Sequence, residues 1–123
     1  MAAMSGDAAT ADRALETALA EGANAVQVVR AALRHVQRLH LASLAVAAGA
    51  APGAALDGLR PPVFFRHKPA FERALRQWRP EALEAAGTAL LDAERRTKTT
   101  GLPGATVARE AVMRLARQAA SRR

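Results

Sequence analysis

Asn24-Ala-Val-Gln-Val-Val-Arg-Ala-Ala-Leu-Arg-His-Val-Gln-Arg-Leu-His-Leu-Ala-Ser-Leu-Ala-Val-Ala-Ala-Gly49 decides the fold class of this 123-residue chain. Asn24 offers a side-chain oxygen to the free amides of a first helical turn, and Gly49 tolerates the left-handed backbone that stops a helix. Between them, at roughly 100° per residue, Val26, Val29, Leu33, Val36, His40, Leu44 and Ala47 fall within about 80° of arc. Val28, Ala32, Leu39 and Val46 widen that apolar face on one side, and Arg30, Arg34, Arg38, Gln27 and Gln37 take the other. A helix with so wide an apolar face must pack against two or more neighbours. It is the centre of a bundle.

The flanking segments read the same way. Ser5 or Asp7 can cap a helix over about Asp7 to Glu21, which carries Leu15 and Leu19 inward and stops at Gly22. Pro52 opens a short helix bearing Leu56 and Leu59. Pro61 and Pro62 then forbid helix, so Val63, Phe64 and Phe65 lie in an extended segment. Pro69 opens a helix with Phe71, Leu75 and Trp78 on one face beside Ala74, Arg73 and Arg76 on the other, and a Glu72–Arg76 pair one turn apart. Pro80 breaks that helix and opens the next, whose inner stripe is Leu83, Ala86, Leu90, Ala93 and Thr97. Gly87 within it marks a close helix crossing, and Gly101 and Pro103 end it. The last helix turns Val107, Ala108, Ala111, Val112, Leu115 and Ala119 inward and finishes at Arg122-Arg123, where cations suit the helix dipole. The expectation is an all-α fold, a compact bundle of five to six helices forming one domain over residues 1–123.

Eighteen Lys+Arg against eleven Asp+Glu give a net charge of +7, and the sequence pI is near 11.5. Nearly all the cations are Arg; the lysines are Lys68 and Lys98. The absence of cysteine excludes a disulfide framework, a thiolate zinc site and a thiol nucleophile. No stretch is long and apolar enough for a membrane span, and the N-terminus lacks a secretory pattern, so a cytoplasmic protein is expected. The charge falls in patches: Arg30, Arg34 and Arg38; Arg73, Arg76 and Arg79; and Arg109 onward to the C-terminus. Solvated helix faces, phosphate contact and an acidic partner all fit such patches. Arg30, Arg34 and Arg38 are the candidate phosphate-proximal residues, and any DNA contact would be weak and non-specific, because few aromatics are on hand to stack bases.

No catalytic chemistry is legible. His35 and His40 stand five apart with no carboxylate to complete a metal set, and His67 lies in the basic loop. His40 falls within the apolar stripe and reads as a core histidine. Lys98-Thr99 resembles the end of a phosphate-binding loop, but Thr97 and Asp92 stand where that loop needs glycine. Acidic residues are scattered along solvent faces, so no catalytic, cofactor-binding or metal residue is assigned and no cofactor is expected. The aromatics are concentrated instead: Phe64, Phe65, Phe71 and Trp78 share a short window with Val63. They can plug one end of the core or anchor a protein partner.

Arg60-Pro-Pro-Val-Phe-Phe-Arg-His-Lys-Pro-Ala-Phe-Glu-Arg-Ala-Leu-Arg-Gln-Trp78 resembles a segment of the delta subunit of bacterial DNA polymerase III, of the alphaproteobacterial kind. Leu91-Asp-Ala-Glu-Arg-Arg-Thr-Lys-Thr-Thr-Gly-Leu-Pro103 is similar to the helix and turn that follow there, and Val29 to His40 resembles the preceding long helix. The blocks keep the family's order and spacing, and the likeness spans about Ser5 to Ala119. Its specific parts are Pro-Pro-Val-Phe-Phe and Lys-Thr-Thr-Gly. The delta subunit belongs to the clamp loader, which opens the sliding clamp and places it on primed DNA in replication. The resemblance covers its C-terminal collar domain and not its two N-terminal AAA+-like modules, so no clamp-contacting residue carries over. It implies a non-catalytic assembly domain of a DNA-directed DNA polymerase holoenzyme, packing with gamma/tau-type and delta-prime-type subunits. The alternative, from charge alone, is a small basic helical protein that binds DNA without sequence specificity.

Overall fold

The backbone amide of Gln27 donates to the Asn24 side-chain oxygen at 2.8 Å, and the Asn24 amide donates to Gln27 Oε1 at 2.9 Å. This reciprocal box fixes the start of the long helix. The structure is a computed structural model that describes residues 2–99 and 101–122; Thr100 of the Lys-Thr-Thr-Gly block and the terminal Arg123 lie outside the described residues. Among the described residues there are seven α-helices: α1 (Ala2–Ser5), α2 (Ala8–Ala20), α3 (Ala25–Ala47), α4 (Pro52–Asp57), α5 (Lys68–Gln77), α6 (Pro80–Thr97) and α7 (Gly104–Ala120). No strand is present among them. The fold is an all-α bundle. Five substantial helices and a short α4 agree with the sequence expectation, and α1 adds a seventh.

α2 and α3 end alike. The Ala23 amide reaches back to the Ala18 carbonyl and the Gly22 amide to Leu19; Ala50 reaches Ala45 and Gly49 reaches Val46. Gly22 and Gly49 carry the left-handed φ (98° and 112°) that these paired bonds require. α3 packs most extensively on α6 and also meets α4, α5 and α7, as its wide apolar face demands.

The buried row of α3 is Val29, Ala32, Leu33, Val36, Leu39, Ala42 and Ser43. It is rotated towards the Ala32/Leu39 side of the expected stripe, leaving His40 half-buried, Ala47 exposed and Leu44 half exposed. The core side of α3 thus takes in Leu39 and the small Ala32, Ala42 and Ser43 in place of His40, Leu44 and Ala47. Ser43 satisfies its hydroxyl on the His40 carbonyl at 2.7 Å.

α6 buries Leu83, Ala86, Leu90 and Ala93 as expected, with Thr97 half-buried. Gly87 does not mark a tight crossing: a Cβ there would meet only Val36 Cγ1, at an ordinary 3.9 Å. The close approach is at Gly104, where a Cβ would come within 3.2 Å of Ala25 Cβ. α7 buries Val107, Ala108, Val112, Leu115, Ala116 and Ala119. Its Arg109 joins Asp12 and Glu16 of α2, while Arg30 of α3 holds Glu94 of α6 at 2.5 Å. No helix among the described residues is long and apolar enough to cross a membrane.

Candidate functional site

Between α4 and α5 the chain is irregular but well tied. The Arg60 guanidinium donates to the carbonyls of Asp57 and Leu59 at 2.9 and 2.8 Å. Lys68, at the start of α5, pairs with Asp57 at the end of α4 and so closes the loop at its base. The Arg60–Pro61 peptide is cis. After Pro62 the backbone stays extended through Phe64 (φ −60°, ψ 136°), then turns through a single 3-10 turn at Phe65–His67, closed by the His67 amide on the Phe64 carbonyl at 2.8 Å.

This geometry divides the five candidate anchors. Val63, Phe71 and Trp78 are buried in the core. The Phe71 ring meets the edge of His35 on α3, with centroids 4.7 Å apart. Burial, together with nearby positive charge that includes Arg38 and His67, lowers the His35 imidazole from 6.5 to about 4. The ring is therefore neutral near pH 7 and serves as a packing partner. The Trp78 indole N–H donates to the Met4 carbonyl of α1 at 3.0 Å, and both side chains are almost fully buried. For these three the core-plug reading holds.

Phe64 and Phe65 are not core residues: they are 61% and 77% exposed. Their rings stack on each other with centroids 5.9 Å apart and 26° between planes, and the Arg66 guanidinium lies 5.7 Å from the Phe64 centroid. His67 lies 6.4 Å from the Phe64 ring. The extended backbone after Pro62 turns Val63 inward, and the 3-10 turn sends the next two side chains outward. The result is an exposed aromatic pair with Arg60, Arg66, His67 and Lys68 around it in the chain. Aromatic surface in a cationic setting is the composition of an interaction hot spot, where a partner can bury the rings while pairing the charges.

The α3 arginines are less available than their spacing implied. Arg30 is committed to Glu94, whose carboxyl is held below its ordinary range first by that hydrogen bond. Arg34 is exposed and Arg38 half-buried, and neither pairs with a described carboxylate. Among the described residues no group of His, Asp and Glu side chains gathers as a metal site. Sequence reasoning missed Arg122, which lies over the buried Trp78 ring with its guanidinium carbon 4.8 Å from the centroid. Its place at the end of the chain carries no pattern that pairs it with residue 78. No protein-family model, curated protein or solved structure matches this chain.

Proposed function

We propose that this chain is a non-catalytic assembly module that holds partner proteins through the Phe64–Phe65 turn, in the manner of the collar domain of a clamp-loader delta subunit supporting sliding-clamp loading in DNA replication. One observation carries the reading. A chain that buries Val63, Phe71 and Trp78 leaves the adjacent stacked phenylalanines out, on a turn fastened at its base by Asp57–Lys68. Exposing two phenylalanines forgoes about 1.5–3 kcal/mol each of available burial. That loss is recovered when a partner covers them. A tied turn also has little conformational freedom left to lose on binding.

The partner surface that fits is an apolar pocket with acidic residues at its rim, matching Arg60, Arg66 and His67. In the delta-subunit reading this surface belongs to a gamma/tau-type or delta-prime-type subunit, and the chain contributes contacts rather than chemistry to the polymerase holoenzyme. The resemblance of residues 60–78 supports that assignment, because the exposed pair lies inside its most specific block. Mixing the purified chain with clamp-loader subunits of those two types, and following co-elution on a sizing column, tests it. A stable joint peak is expected. A well-folded chain that elutes alone at micromolar concentrations defeats the proposal.

A further inference from the structure

A second surface is built where α5 ends, α6 begins and α7 finishes. Arg76, Gln77, Arg79, Glu81, Ala82 and Arg122 line a broad open cleft of about 720 Å³. Arg76 and Arg79 stand three residues apart across the α5–α6 junction, and Arg122 joins them from beyond the end of α7, so the cluster spans two parts of the fold and not one solvated helix face. Arg79 has no ion pair among the described residues. Arg76 has only a loose one, 3.8 Å from Glu72. Arg122 donates once to the Gln118 carbonyl at 3.2 Å and rests on the Trp78 ring, leaving further N–H groups for a ligand. Glu81 is the one carboxylate among the described lining residues, which together carry an excess of two positive charges.

We infer that this cleft is a phosphate-contacting site that seats the backbone of duplex nucleic acid without reading its sequence. The guanidinium fork matches phosphate oxygens in pairs, and three such groups around an open cleft suit a chain of phosphodiesters. A protein partner fits poorly here, because interface centres are apolar and Ala82 is the single apolar residue among the described lining residues. A single strand also fits poorly. The nearby aromatic, Trp78, is only 2% exposed and offers no face on which bases can stack. The site is independent of the Phe64–Phe65 surface, so one can fail while the other stands.

Trp78 is the only tryptophan and Arg122 lies on its ring, which gives the site its own reporter. The test follows the anisotropy of a short labelled random-sequence duplex over a salt series, and separately the Trp78 emission as unlabelled duplex is added. Binding is expected to weaken with salt at a log–log slope of about 2–3, set by the phosphates the three arginines neutralise. Arg79→Ala and Arg122→Ala should each lower that slope by about one, while Arg13→Ala, an exposed arginine of α2 outside the cleft lining, leaves it unchanged. Emission should change with duplex in the unsubstituted chain, and thermal unfolding verifies that each variant is folded. The inference is overturned by no duplex binding at low salt, by an Arg13→Ala loss equal to that of Arg79→Ala, or by duplex binding that leaves Trp78 emission unmoved. Saturable binding of inorganic pyrophosphate without duplex binding would equally overturn the duplex assignment.

Discussion

His35 shows how one side chain links packing to pH. Its imidazole is held neutral down to about pH 4 by burial against Phe71, whereas in the unfolded chain it protonates near 6.5. Between those values the unfolded state binds the extra proton, so stability rises with pH through this window and is lost as the pH falls through it. The full effect is about 3 kcal/mol. Urea unfolding measured from pH 4 to 7 should show this slope, and His35→Gln should flatten it. Two glycines predict opposite outcomes. Gly87 lies in helical backbone with room for a methyl group, so Gly87→Ala should stabilise the protein by about 0.5–1 kcal/mol. Gly49 has a φ of 112°, and Gly49→Ala should destabilise it by about 1–2 kcal/mol, read from the same denaturation curves. The first outcome contradicts what a glycine inside a helix suggests. Its neighbour Val36 is invisible without the tertiary packing.

Among the elements, α3 was the most legible, because Asn24, Gln27 and Gly49 act within a few residues of themselves and carry their own start and stop. Asn24→Ala should therefore cost about 1 kcal/mol in thermal unfolding. What periodicity missed was rotation. An apolar arc on α3 says that one side is buried, but neighbouring helices decide how far round the helix the core reaches, and so Leu44 emerged exposed while Ala42 was buried. α1 escaped notice for a different reason: four residues are too short for any period to register, and α1 is held by Met4, its Trp78 hydrogen bond and α7. The turn at residues 58–67 was legible as a break and not as a surface. Proline removes the regular alternation that would distinguish inward from outward, so the parting of Val63 from Phe64 and Phe65 depends on how the 3-10 turn is set down.

Over the whole molecule, a cross-braced scaffold keeps two exposed features in fixed places. Arg109 fastens α2 to α7, Arg30 fastens α3 to α6, and the central α3–α6 contact includes the buried Val36 and Leu83. Leu83→Ala should cost about 2–5 kcal/mol in chemical denaturation, as expected for a leucine deep in a close-packed core. The excess of basic residues, which at first suggested a nucleic-acid protein, is distributed by the fold: Arg30 and Arg109 are spent on helix–helix pairs, and Arg76, Arg79 and Arg122 gather at one cleft. The aromatics are divided in the same way between core and surface. The central claim is that the outward pair exists for a partner, and it is tested most directly by the affinity of the Phe64→Ala/Phe65→Ala variant for gamma/tau-type and delta-prime-type subunits. Its melting temperature should match that of the unsubstituted chain, because the two rings lie outside the core, while binding should weaken by about 30-fold or more. Unchanged affinity in a folded variant would contradict the account.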